Sequence, residues 1–281
     1  MGFKLKLSRK SVLTHAVLIF VSFIMIFPWL IALSTGLKAP GESALNRGLI
    51  PWEIALGNFP EAWRIANVPL LAFNSFVVTA ASVVMILFLA SLAAYGFARL
   101  SFFLKEPFYL LFLAGLMLQA AAIMVPLYQV NVAFGLLDTY YALVGPYIAL
   151  GLPFAILILR GFFEGLPEEI EDAALIDGAS RFTIYWRIML PLTRPALATV
   201  AIFTGLGTWN DFLLPMLMTS KPGLRTMPLG LILFELEGSI GFVLHEYRFA
   251  LIIMMTLPIV IVFLLLQRQF MSGLTAGAIK G

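Results

Sequence analysis

Residues 168–191 read EEIEDAALIDGASRFTIYWRIMLP, with five acids in the first ten positions, inside a 281-residue chain that is 61% hydrophobic and 12% charged. Leu166-Pro167-Glu168-Glu169 has the marks of a helix start. Proline suits a first helical turn, and acids there meet the positive end of the helix dipole. Ile170, Ala173, Ala174 and Asp177 fall at i, i+3, i+4 and i+7, on one face. Gly178 stops the helix, since glycine takes the left-handed cap that other residues resist. Ser180 then caps a second helix carrying Arg181 and Arg187, and Pro191 ends or kinks it. The pattern is helix, tight glycine turn, helix.

Everything around this stretch is apolar. A soluble domain averages about 25% charged residues, and a mean hydropathy of +0.99 over this length would leave a water-soluble surface apolar almost everywhere. The solvent is therefore a bilayer. A helix needs roughly 20 residues to cross the hydrocarbon, and charge-free windows supply six spans. They are 11–37; 65–98, with the span proper from near Ala72; 107–137, with 107–126 as its membrane part; 139–159; one starting after Arg194 that Asp211 interrupts and 212–220 continues; and 249–267. The expected organisation is an N-terminal segment 1–11, a first span 12–36, an outer loop 37–71, a five-helix core 72–268 containing the loop 161–195, and a tail 269–281. The fold class is an all-α membrane protein.

Lys and Arg set the orientation. The side holding both termini has twelve: Lys4, Lys6, Arg9, Lys10, Arg99, Lys105, Arg160, Arg181, Arg187, Arg194, Arg268 and Lys280. The other has six: Lys38, Arg47, Arg64, Lys221, Arg225 and Arg248. The twelve-residue side is expected to be cytoplasmic, which places 161–195 there. The first apolar run is too long for a signal-peptide core and is expected to stay as a span. The basic balance of +3 follows from this asymmetry and does not point to nucleic acid.

A helix of this length needs a partner surface, because isolated helices under about 12–15 residues are marginal in water. Lipid and protein are both available. Interfacial helices favour Lys and Arg against anionic lipid; this one is acidic, and its alanines suit close docking into a protein groove.

The stretch resembles the EAA motif of ABC importer permeases, E-A-A-x3-G-x9-I-x-L-P. Asp172-Ala173-Ala174, Gly178, Ile188 and Leu190-Pro191 stand at its spacing, with Asp172 where the family has Glu and Glu171 beside it. Leu56-Gly57-Asn58-Phe59 with Trp63, Asn74-Ser75, Trp209-Asn210-Asp211 and the ending at 273–281 are similar to carbohydrate permeases of the maltose and multiple-sugar type. The resemblance implies an ABC type I importer permease fold, a binding-protein-dependent inner membrane component with six spans and both termini cytoplasmic. It implies that 167–191 is a coupling helix seated on an ATP-binding subunit, through Glu171, Asp172, Ala173, Ala174, Asp177, Gly178, Ile188, Leu190 and Pro191. It also implies a tail contact between the ATP-binding subunits through Gly273, Thr275, Ala276, Gly277 and Lys280. The implied partners are a second, homologous permease, two ATP-binding subunits, an external sugar-binding protein and membrane lipid. No cofactor is expected on this chain, with ATP and magnesium on the partner ATPase.

Asp211 is the acid well inside a span, where a carboxylate costs roughly 2.5–3.5 kcal/mol on insertion scales. Two readings are open. It lines a sugar path with Asn210 and with Trp209 as a stacking face, or the group anchors the helix near the outer interface or holds the second permease. Asn74, Gln119, Tyr128 and Asn131 are further path candidates.

Two alternatives lack their signatures. A stand-alone secondary transporter or channel would leave the acidic loop without a role, and the paired broken repeats of secondary carriers are not evident. An intramembrane enzyme would need a serine–histidine, paired-aspartate or HExxH arrangement in the spans, and none is found; His245-Glu246 begins the last, but position 249 is Phe. The chain has two histidines, no cysteine and no G-x-x-x-x-G-K-[ST], so metal binding and phosphate cradling of that kind are not expected.

Overall fold

The computed structural model describes residues 9–237 and 244–278, with side chains at 13–119, 121–234 and 244–265. Its described elements are helical. They are α1 (Arg9–Gly36), α2 (Glu42–Leu45), α3 (Asn58–Ile65), α4 (Val68–Arg99), α5 (Lys105–Ala114), α6 (Ala120–Ala133) and α7 (Tyr141–Glu164), followed by α8 (Glu169–Ile176), α9 (Arg181–Ile184), α10 (Leu190–Leu192), α11 (Arg194–Asn210), α12 (Leu213–Met218), α13 (Met227–Glu237) and α14 (His245–Ala278).

Among the described residues, four stretches are long and apolar enough to cross a bilayer: Leu13–Gly36, Val68–Arg99, Tyr141–Glu164 and His245–Leu265. Two bent pairs, Lys105–Met117 with Ala121–Ala133 and Arg181–Leu192 with Arg194–Asn210, raise the number to six if each is one span. The expected continuous span 107–126 is broken. A 3-10 turn at Gly115–Met117 leads into extended backbone at Leu118 and Gln119, which stops the helix, and the chain bends by 107°. Pro126 lies inside α6, not at its end. In the last helix, the backbone runs unbroken past the expected boundary at 268 to Ala278.

The chain divides into two compact units. In the first, within Met1–Asn67 and Leu231–Leu257, only 6% of the α1 span is buried. Leu18, Ile19, Phe20 and Met25 are exposed along it, as a lipid-facing helix requires. Its last residue, Gly36, lies against α14. A Cβ there would stand 3.0 Å from Ala250 N and 3.3 Å from its Cα, a backbone contact with no side chain to give way. After α1 the segment 37–57 folds on a polar knot. Glu42 accepts from Asn46 Nδ2 (2.6 Å), Trp52 N (2.7 Å) and Ala39 N (3.0 Å), and Lys38 Nζ donates to the Asn46 carbonyl (2.6 Å). Burial pushes the Glu42 pKa up, but the donors from Trp52, Asn46 and Ala39 outweigh it and hold it below the ordinary carboxylate value.

The second unit, within Val68–Gly230 and Pro258–Gly281, has α4, α7 and α11 as its core. Lipid is as apolar as leucine, so helices in a bilayer associate by close packing, and small residues permit it. Ala90, Ala94 and Ala155 are fully buried at this core, beside Ile86, Ile156, Leu159 and Phe163. A second cluster gathers Val78, Met124, Leu143, Tyr147, Leu214 and Met218. The first cluster continues into the loop 161–195 through Ala174, Ile184, Tyr185 and Met189.

Candidate functional site: a helix–turn–helix loop keyed to the core

The loop folds as its sequence dictates. Pro167 precedes the α8 N-cap, Glu168, and the first turn holds Glu169, Glu171 and Asp172. Gly178 has φ +81°, the left-handed value. Gly178 N donates to Leu175 O and Ala179 N to Ala174 O, each at 3.0 Å, the double bond pattern of a Schellman cap. Ser180 Oγ accepts from Thr183 N at 3.2 Å and starts α9. The backbone then widens into one π-helical stretch, Tyr185–Met189, before α10. Pro191 does not break this helix; the chain bends by 73° at Thr193, and Pro195 takes the second position of α11. A proline is tolerated there because those first N–H groups have no intrahelical acceptor.

The expected docking face is divided between two sides. Glu171 and Ala174 are buried and Ile170 is half-buried, whereas Asp172, Ala173 and Asp177 are exposed. The cause is Arg99, the last residue of α4. Its Nε lies 3.0 Å from Glu171 Oε1 and draws that side of α8 onto the core. The outward side carries Leu175, Ile176 (86% exposed), Phe182 (69%) and Trp186 (51%). Ile188, Leu190 and Pro191 are half-buried along the return.

Of the polar candidates, Asn74 is fully buried. Its Nδ2 donates to Gly223 O (2.9 Å) and Arg225 O (3.0 Å), and its Oδ1 accepts from Tyr140 (2.6 Å). Asp211 accepts from Tyr147 (2.8 Å) and from the N–H groups of Leu213 and Leu214. Tyr140 and Tyr147 stand two turns apart at the start of α7, so each clasps one polar residue of another element. Asn131 is buried and donates to the Leu127 carbonyl (3.0 Å). Gln119, Tyr128 and Asn210 are exposed, Gln119 at the break before α6. Trp209 lines an apolar cavity of about 280 Å³ between α4, α11 and α14, with Phe76, Thr79, Gly205 and Phe263. The backbone of 273–278 belongs to α14; the side chains of Gly273, Thr275, Ala276 and Gly277, and Lys280 altogether, lie outside the described residues.

Sequence reasoning missed the residues that hold the loop: Ser91, Tyr95, Arg99 and Tyr185. Arg99 was legible as a charge at the end of a span, but not as a buried one.

Comparison with known proteins agrees with the fold. The chain is 33% identical over 282 residues to the trehalose/maltose transport system permease protein MalG of Thermococcus litoralis, covering 98% of each. It is 34% identical to the arabinooligosaccharides transport system permease protein AraQ of Halalkalibacterium halodurans, covering 93% of this chain and 94% of that one. It is 32% identical to the diacetylchitobiose uptake system permease protein NgcG of Streptomyces coelicolor, over 97% and 90%. Its fold matches a chain in the crystal structure of a bacterial ABC transporter involved in the import of the acidic polysaccharide alginate, with TM-score 0.82 and 21% identity, over 96% of this chain and all of that one. Residues 1–276 match the binding-protein-dependent transport system inner membrane component family, and the chain, a multi-pass permease subunit that carries no ATPase of its own, belongs to it.

Proposed function

We propose that this permease moves a sugar or short oligosaccharide from an external binding protein into the cytoplasm, driven by ATP hydrolysis on separate subunits. The loop side of the membrane is the cytoplasm in this reading, with the termini on it. A second, homologous permease completes the path, and two ATP-binding subunits hold ATP and magnesium. The sugar class rests on the names of the relatives.

The observation that carries the coupling role is the loop's outward face. Leu175, Ile176, Phe182 and Trp186 are exposed on a motif-bearing element whose other side is packed on its own core. Exposed apolar clusters with a polar rim mark interaction sites, and Asp172, Asp177 and Arg187 supply that rim. Closure of the ATP-binding subunits pushes this face and biases the permease between its inward- and outward-open states; nearly complete switching needs a bias of about 5.5 kcal/mol. On the substrate side, Trp209, Asn210, Gln119 and Tyr128 offer surface to a passing sugar, while Asn74, Asn131 and Asp211 shape the walls around them. The tail contributes through Gly273–Lys280 between the ATP-binding subunits.

Purification of the tagged chain from its native membrane tests this. The expected result is a complex with an ATP-binding subunit and a second permease, whose reconstituted vesicles take up sugar only with ATP and the binding protein. Uptake by the chain alone, driven by an ion gradient, would replace this reading with a secondary carrier.

A further inference from the structure

Resting on the reading of α8 as the ATPase-docking helix, we propose that Arg99 is a positioning residue that locks the docking helix to the ends of α4 and α7, so that motion of α8 is transmitted and not absorbed by the link 165–168.

The guanidinium touches three elements at once. Its Nη2 donates to the carbonyls of Phe163 (2.8 Å), in the last turn of α7, and of Leu166, in the link beyond it. Its Nε faces Glu171 Oε1 at 3.0 Å, and Nη1 lies 3.4 Å from Glu168 Oε1. The Arg99 side chain is 6% exposed and that of Glu171 9%. Glu168 is 86% exposed, so solvent screens its share and the Glu171 pair dominates. A planar fork with five fixed donors can hold a carbonyl pair and a carboxylate together; a lysine ammonium cannot reproduce those directions.

The carboxylate is held from its other side as well. Tyr95 donates to Glu171 Oε2 at 3.2 Å. The Tyr95 ring packs edge-on against Phe163, and tilted against Tyr185, with centroids 5.7 and 5.3 Å apart. The Tyr185 and Ser91 hydroxyls share a hydrogen bond at 2.8 Å. The result is one body made of two membrane helices, α8 and the π-helical return of the loop. The Arg99–Glu171 approach meets an ion pair's distance without an aligned hydrogen bond at Nε or Oε1. Charge, not one directional bond, therefore binds the pair; removing Arg99 leaves the buried Glu171 carboxylate uncompensated, and removing Glu171 leaves Arg99 with only the exposed Glu168 as counter-charge.

The test uses the assembled transporter and a chain with no native cysteine. Ser101 and Glu169 are both exposed, one beyond α4 and one on α8; Ser101→Cys/Glu169→Cys carries two spin labels. Their distance should be narrow and unchanged between nucleotide-free and ATP-bound complexes, and should broaden in Glu171→Gln. That variant should still hydrolyse ATP, while sugar moved per ATP falls at least about fivefold, the low end of measured coupling effects; Arg99→Lys should fall between it and wild type. A label distance that shifts with nucleotide in the unaltered pair overturns the inference, whether or not Glu171→Gln folds. So does wild-type transport per ATP in Glu171→Gln. Purification without any ATP-binding subunit instead sinks the docking reading, and the coupling role falls with it.

Discussion

The Tyr147 hydroxyl donates to Asp211 Oδ2 at 2.8 Å, across the break between α11 and α12. The same carboxylate accepts from Leu213 N (3.0 Å) and Leu214 N (3.4 Å), so it caps α12 while tying it to α7. A hydrogen bond to a charged group contributes about 1.5–3 kcal/mol net, and an unsatisfied buried acceptor costs about 1–3 kcal/mol. Tyr147→Phe is therefore expected to cost about 1–2 kcal/mol, and Asp211→Ala somewhat more because the cap goes too. The two losses should be non-additive in a double-mutant cycle read by unfolding in detergent. Additive losses would mean the two residues act independently and would remove the clasp.

Gly178 carries the loop's turn. At φ +81°, a residue with a Cβ costs roughly 1–2 kcal/mol, and a β-branched one is a genuine outlier. Gly178→Val is expected to insert at wild-type levels yet lose most uptake, because the turn sits outside the packed spans. Gly178→Asn should retain far more, since asparagine tolerates the left-handed region. Membrane levels by blot set against sugar uptake decide it; equal uptake in both variants would contradict a conformational role.

Asp138 joins two other segments. Its carboxylate accepts from Ser220 Oγ and Ser220 N at 2.6 Å and Lys221 N at 3.0 Å. These bonds, that from the Ser220 side chain foremost, hold its pKa below the ordinary aspartate value. A lowered folded-state pKa means the stabilisation is fully present above the unfolded value and is lost as pH falls through the folded one. Asp138→Asn tolerates the same positive φ of 58°, so it isolates the charge. The variant should be less stable than wild type at neutral pH, with the gap closing below about pH 4. A gap that stays constant down the acid limb of a melting series would show that the charge is not what matters.

The loop was legible because its signals are local. Gly178, Ser180 and the acids of the first turn act on backbone groups within five residues, and each lies where its chemistry places it. What failed was anything set by distant partners. The spacing of Ile170, Ala173, Ala174 and Asp177 fixes a face but not its direction, and Arg99, seventy residues earlier, turned half of it inward. The break at Leu118–Gln119 had no proline or glycine at its centre to announce it. Asn74 is the same lesson in a membrane. A buried amide there must be satisfied, but that its acceptors and donor are Gly223, Arg225 and Tyr140 is a fact of tertiary packing.

The outward face gives the most direct check on the docking surface. Ile176 is 86% exposed and Trp186 51%, so neither is buried in the chain's own core, although the Trp186 ring touches that of Tyr185, and surface changes away from the core usually alter stability by no more than about 0.5 kcal/mol. An aromatic anchor seated in a partner pocket is another matter: truncating one typically costs 2 kcal/mol or more of binding, roughly thirtyfold in affinity. Ile176→Asp should therefore leave the thermal unfolding of the isolated permease unchanged, and Trp186→Ala should change it little, while in both the ATP-binding subunit is lost on washing. Ala173→Trp, on the same exposed side, should do likewise by overfilling the contact. Retention of the ATP-binding subunit by all three variants would place the docking surface elsewhere on the loop; a lowered melting temperature in the isolated chain would mean these side chains serve the fold after all.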